Sequence, residues 1–145
     1  MSFLDALDTS ASGLSAQRMR MKLISSNLAN INTTRTDEGG PYRRKDLVFQ
    51  AAAKGGEFGR KLSEQLENQR YEVQVAEIHD DPRPPIMKFE PTHPDADAKG
   101  YVAVPNINVV EEMVNMISAT RSYEANVSAV KATKEMASNA MEIGK

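Results

Sequence analysis

Residues Val109–Ile143 read VVEEMVNMISATRSYEANVSAVKATKEMASNAMEI, and this stretch decides the fold. It contains neither Gly nor Pro. Val109, Met113, Met116, Thr120, Tyr123, Val127, Val130, Lys134, Ala137 and Met141 alternate spacings of four and three, the signature of a heptad seam on a helix. Only Thr120 and Lys134 in that series are polar, and Ile117 and Ala119 widen the stripe. Asn108 with Glu111 supplies a capping-box variant at the start, and Gly144 is placed to close the end. At about 1.5 Å per residue the helix is roughly 50 Å long.

Working outward, the other end of the chain reads the same way. Residues 3–31 form one helix, with Ser2 and Asp5 as its capping pair. Leu7, Ala11, Leu14, Arg18, Met21, Ser25 and Leu28 keep the four–three alternation, and Leu4, Ile24 and Ile31 broaden it. This seam is weaker. Arg18 and Ser25 are polar, and Gly13 costs about 1 kcal/mol relative to Ala inside a helix. The small residues from Thr9 to Ser15 allow another backbone to come close. Asn and Thr residues at 30–34 end the helix, and Glu38-Gly39-Gly40-Pro41 breaks the chain.

Three parts follow: an N-terminal core helix in 1–34, a middle region in 35–105, and a C-terminal core helix in 106–145. Within the middle, Leu47-Val48-Phe49 is a short apolar run and Gly55-Gly56 marks a turn. Glu57–Asn68 is a candidate short helix, with Phe58, Leu62 and Leu66 on one face. Tyr71, Val73 and Val75 alternate with Glu72 and Gln74 as a half-buried strand does. Pro82, Pro84, Pro85, Pro91 and Pro94 predict an irregular or extended segment. Tyr101–Val104 is a short strand candidate ended by Pro105. The fold class expected is mainly α: two long terminal helices paired as a hairpin or coiled-coil core, with a small irregular or β-containing middle.

A two-helix pair leaves outer apolar positions in water. Burying one Leu- or Met-sized side chain is worth roughly 1.5–3 kcal/mol, so the remaining stripe favours association. A head-to-tail contact that does not close into a ring builds a helical filament. The assembly interface expected on these grounds comprises Leu7, Ala11, Leu14, Met21 and Leu28 at one end. At the other it comprises Val109, Met113, Met116, Tyr123, Val127, Val130 and Met141.

Composition excludes most chemistry. The chain has 18 basic and 20 acidic residues, a net charge of −2, and Arg43-Arg44-Lys45 is its longest like-charge block, so nucleic-acid binding is not expected. With no cysteine, there is no disulfide, thiol nucleophile or Cys-based zinc site. The N-terminus lacks the basic-then-apolar layout of a cleavable signal peptide, and no apolar run approaches the roughly 20 residues of a membrane helix. Asp95-Ala96-Asp97-Ala98-Lys99-Gly100 starts like an EF-hand loop. Its fifth position is Lys99 and its twelfth Asn106, where Asp or Asn and a bidentate Glu belong; a polar turn is expected instead. His79-Asp80-Asp81 and His93 lie beside the prolines and lack a third ligand at fitting spacing. Neither a Gly-x-Ser-x-Gly elbow nor a phosphate loop is present. The expectation is a structural protein, without catalytic residues, metal or cofactor.

Particular residues then resemble something specific. Ser25-Ser26-Asn27-Leu28-Ala29-Asn30-Ile31-Asn32-Thr33 is similar to the N-terminal signature of bacterial flagellar rod and hook proteins. Gly39-Gly40-Pro41-Tyr42-Arg43-Arg44, His93-Pro94-Asp95-Ala96-Asp97-Ala98, Gly100-Tyr101-Val102 and Pro105-Asn106 narrow the resemblance to the proximal rod of the basal body. Glu112-Met113 and Ala119-Thr120-Arg121-Ser122-Tyr123-Glu124-Ala125-Asn126 narrow it likewise. Residues 54–90 carry no such motif.

The resemblance implies a subunit of the rod, the drive shaft between motor and hook. Its terminal helices would line a central channel in the periplasmic space. Export would run through the flagellar type III apparatus, without a cleaved signal. Partners would be other copies, other proximal-rod proteins, the rod–ring junction protein and the distal rod, with no nucleic acid and no membrane insertion. Asn27 and Asn30 flank the helix end; either their amides hold backbone groups and shape the turn, or they only terminate the helix. The stripes by themselves also fit a non-polymerising helical adaptor or export chaperone.

Overall fold

A computed structural model describes residues 3–53 and 71–143. The expected Glu57–Asn68 helix, the Gly55-Gly56 turn, and the Ser2 and Gly144 caps lie outside the described residues. Six elements follow in order: α1 (Phe3–Ala29), β1 (Lys45–Ala53), β2 (Tyr71–Asp80), β3 (Ile86–Phe89), β4 (Tyr101–Val104) and α2 (Val109–Ile143). The strands pair as β1 with β2 and β3 with β4. Two long terminal helices with a small β-containing middle are thus observed.

The boundaries of α2 have a local cause. Asn108 Oδ1 accepts the Val110 N–H at 2.9 Å and that of Glu111 at 3.4 Å, satisfying donors that have no partner within the helix. Before it, the Ile107 N–H donates to Pro105 O at 3.0 Å, a tight turn that separates β4 from the helix. At the end of α1, Asn30 Nδ2 donates to Ser26 O at 2.9 Å and Asn30 Oδ1 accepts the Thr33 hydroxyl at 3.1 Å.

The chain divides into two compact units. The first comprises Met1–Met19, Val48–Glu77 and Ala119–Lys145. Among its described residues the buried apolar positions are small, Ala16 and Ala119. Polar side chains of α1 hold the backbone of β2 here: Thr9 Oγ1 lies 3.2 Å from Tyr71 O, and Ser12 Oγ accepts the Val73 N–H at 3.0 Å. Gly13 also has a partner: a Cβ there would lie 3.0 Å from Asn126 Nδ2. The close approach is made by a side chain of α2, and the missing methyl makes room for it.

The second unit comprises Arg20–Leu47 and Ile78–Ser118. Ile24, Val102, Pro105 and Ile107 are its buried apolar positions, joined by Asn27 and Glu112. β3 and β4 run antiparallel, with Ile86 opposite Val104 and Phe89 opposite Tyr101. The stretch expected to be irregular therefore contains a strand. The reason is spacing: Ile86–Phe89 lies between Pro85 and Pro91, so no ring interrupts its four amides.

Asp97 Oδ1 accepts the N–H of Lys99 at 2.8 Å and of Tyr101 at 2.9 Å, so the Asp-rich segment is a polar turn. Gly100 completes it at φ +80°, where a Cβ would meet Phe89 Cε2 at 3.0 Å. The Phe89 and Tyr101 rings meet edge to face at 5.3 Å.

Candidate functional site

The second unit holds a buried polar network. It begins with Asn27, in the last turn of α1. Its side-chain amide behaves as a peptide group would beside a strand. Asn27 Nδ2 donates to Lys45 O and Asn27 Oδ1 accepts the Lys45 N–H, both at 2.9 Å. Lys45 is the first residue of β1, so the amide pairs the strand at its start. Oδ1 also accepts the Tyr42 hydroxyl at 3.1 Å, and Nδ2 donates to Glu112 Oε2 at 3.1 Å. All four hydrogen-bonding positions of the amide are thereby used.

Glu112, on the first turns of α2, is fully buried. Its other oxygen, Oε1, accepts Arg44 Nε at 2.8 Å. Arg44 Nη1 reaches Asp46 Oδ2 at 2.9 Å. Burial opposes the charge on Arg44, yet the hydrogen bonds and charges of Glu112 and Asp46 outweigh it and raise its pKa. For Asp46, burial likewise works against ionisation. The Arg44 hydrogen bond and the Leu47 N–H reverse the balance and hold its carboxyl below the usual range.

The loop that delivers Arg44 is built for the purpose. Tyr42 N–H donates to Thr33 O at 3.0 Å and Thr36 N–H to Gly40 O at 2.9 Å, closing a tight excursion. Gly39 at φ +89° and Gly40 at φ +80° supply the left-handed backbone at its tip. A carboxylate, a guanidinium and an amide joined in this way hold three parts of the chain together: the end of α1, the start of β1 and the first turns of α2. Among the described residues no three His, Asp or Glu side chains are grouped to hold a metal ion, and no helix is long and apolar enough to cross a membrane.

A second feature of this unit is an exposed apolar face. Val110, Met113, Val114 and Ile117 of α2 recur at helical spacing, each more than half exposed (53% at the least). Few monomeric proteins leave so continuous an apolar strip in water.

The residues expected at the interface are distributed as follows. Leu7, Leu14, Met21 and Leu28 are half-buried and Ala11 is exposed. Met116, Tyr123, Val127 and Val130 are half-buried, while Val109, Met113 and Met141 are exposed. None of them is fully buried. The buried positions are instead Ala16, Ile24 and Asn27 on α1, and Glu112 and Ala119 on α2. Sequence reasoning singled out Asn27 for a role at the helix end, and quoted Tyr42, Arg44 and Glu112 only as residues of the resemblance, without a structural role. A signal for Glu112 existed: Glu112, Ala119, Asn126 and Thr133 form a small or polar heptad line of their own.

The flagella basal body rod protein family matches residues 7–35, and the C-terminal family of flagellar basal body rod FlgEFG proteins matches residues 98–143. Both helices of the fold fall largely inside these segments. The flagellar basal-body rod protein FlgC of Bacillus subtilis is 46% identical, with all of both chains aligned. Those of Borreliella burgdorferi and Yersinia enterocolitica are 42% and 43% identical over 99% of this chain, covering 98% and 99% of their own. Relatives of this closeness, aligned end to end and named as rod proteins, make the chain a structural subunit of the basal-body rod rather than an enzyme. It associates with other basal-body proteins in that structure. The chain belongs to the FlgC family of flagellar basal-body rod proteins.

Proposed function

We propose that the chain is a subunit of the proximal rod that polymerises through its terminal helices into the shaft carrying torque from motor to hook. The observation that carries this reading is the exposed stripe Val110, Met113, Val114 and Ile117. Its burial against a neighbouring subunit would contribute roughly 1.5–3 kcal/mol for each side chain fully removed from water. The heptad positions Leu7, Ala11, Leu14, Met21, Leu28, Val109, Met113, Met116, Tyr123, Val127, Val130 and Met141 are the further interface residues in this reading, half-buried or exposed in the single chain.

In this reading α1 and α2 pair as an antiparallel helical hairpin. Within the first unit Gly13 lies against Asn126, and within the second Asn27 bonds Glu112; each contact supports the pairing in its own unit. The parts 1–34 and 106–145 are then the core helices, and 35–105 is the middle region that joins them in sequence. The rod lies in the periplasmic space, reached through the flagellar type III apparatus without a cleaved signal. Other copies, other proximal-rod proteins, the rod–ring junction protein and the distal rod are the neighbours.

Aspartate at Val114 or Ile117, and at Leu14 or Val127 on the heptad seams, tests the reading. The variants are expected to express normally yet to be missing from purified basal bodies, leaving cells unable to swim. Normal swimming with all four variants would refute it. A helical adaptor would instead remain a stable monomer or small closed oligomer at high concentration.

A further inference from the structure

We propose that the Asn27–Glu112–Arg44 network is a register lock: it specifies which turn of α1 faces which turn of α2, and the apolar stripes do not. The proposal rests on the reading that these helices are the assembling elements. Seams built from Leu, Val, Met and Ala are adaptable, because a slip of one turn replaces one apolar contact with another of similar size. Of the residues buried on the described helices, Ala16, Ile24 and Ala119 are apolar, and only Asn27 and Glu112 are polar. Ala16 and Ala119 are nearly featureless, whereas Asn27 and Glu112 each admit one partner geometry.

The geometry is demanding. Asn27 must present Oδ1 to Lys45 N–H and to the Tyr42 hydroxyl while presenting both amide hydrogens to Lys45 O and Glu112. Glu112 must take Asn27 on one oxygen and Arg44 on the other. A one-turn slip of either helix would carry it about 5.4 Å along its axis. The residues one turn from Glu112 are Asn108 and Met116, neither of which can accept Arg44 as a carboxylate does. A slip of α2 would take Glu112 from Arg44, which Asp46 alone would then hold, and leave a carboxylate buried without its partner, which is strongly unfavourable. A buried polar pair used in this way adds specificity more than stability, as one buried Asn does in a coiled coil.

The chain has no cysteine, so an introduced pair is the only one present and reports register directly. Gly13→Cys with Asn126→Cys marks the observed register, since a Cβ at Gly13 lies 3.4 Å from Asn126 Cγ. Gly13→Cys with Ser122→Cys or Val130→Cys marks slips of one turn. Oxidation of the purified full chain is expected to link 13 to 126 efficiently and the slipped pairs poorly.

In a chain also carrying Asn27→Leu, Arg44→Met and Glu112→Met, the three links should form in comparable yield. Retention of the selective 13–126 link would overturn the proposal. If the apolar chain does not fold, the reciprocal change Asn27→Asp with Glu112→Gln decides. It rebuilds an amide–carboxylate contact and should be more selective than Asn27→Asp alone; equal loss of selectivity in both would overturn the proposal. A chain that keeps its register yet never enters basal bodies would refute the rod reading and leave the lock standing.

Discussion

Replacing Glu112 by Gln changes one oxygen to an amino group at the most buried charge described in this molecule, and its cost can be worked from the contacts. The carboxylate receives Arg44 Nε at 2.8 Å on Oε1 and Asn27 Nδ2 at 3.1 Å on Oε2. Glutamine offers one acceptor oxygen. Its NH2 must point at either the guanidinium or the Asn27 amide, and both are donors. One hydrogen bond is lost, two donors face each other, and Arg44 loses its buried counter-charge. A hydrogen bond to a charged group is worth about 1.5–3 kcal/mol, and breaking a buried ion pair costs about 3–5 kcal/mol. Asp46 still holds Arg44 Nη1 at 2.9 Å, which places the expected loss near the lower range, about 2–3 kcal/mol. At roughly 2–4 °C per kcal/mol for a chain near this size, the melting temperature should fall by about 5–10 °C. Urea unfolding followed by far-ultraviolet circular dichroism measures the free-energy loss, with the slope expected to be unchanged, and a thermal scan with the same signal measures the melting shift. Glu111→Gln, one residue away and exposed, is the control and should stay within about 0.5 kcal/mol of the parent. If Glu112→Gln unfolds together with that control, the network does not stabilise the fold and the reasoning fails.

Gly100→Ala should cost about 2 kcal/mol, because φ +80° is a left-handed conformation and the new methyl meets Phe89 and Pro91 at 3.0 and 3.1 Å. Gly39→Ala, at φ +89° with nothing within 4 Å, should cost about half as much in the same urea titration. Asn108→Ala removes the cap of α2 and should lower stability by about 1 kcal/mol, with Asn108→Ser recovering most of it. Acid unfolding offers a test of sign. Hydrogen bonds from the Arg83 side chain and N–H hold the Asp81 pKa at about 2, below the unfolded value. Its contribution is therefore complete above the unfolded value of about 4 and is lost as pH falls towards 2. The parent should lose stability more steeply than Asp81→Asn across that interval; parallel curves would contradict it.

Residues 109–143 carried their own answer. A four–three heptad period, a capping Asn108 and the absence of Gly and Pro act within a few residues of each other, so the observed α2 begins where local rules place it. The same holds for β4, bounded by Gly100 and Pro105, and the alternation of Tyr71, Val73 and Val75 lies within β2 as read. The end of α1 at Ala29 differs by two residues from its expected limit, within the fraying of a helix terminus. The signature residues, matched one by one, were enough to name the flagellar rod.

Tertiary structure decided which faces are inside. Periodicity reports where the apolar side chains lie around a helix, but burial depends on what is packed opposite. On α2 the position of Glu112 and Ala119 is the covered line, while Val110, Met113, Val114 and Ile117 remain in water. On α1 Gly13 looked like a weakness and is the space that Asn126 occupies. The seam of apolar residues was written in the order of the chain. The partners of Glu112 are 68 and 85 residues away, and no local rule could bring Arg44 and Asn27 to the same carboxylate.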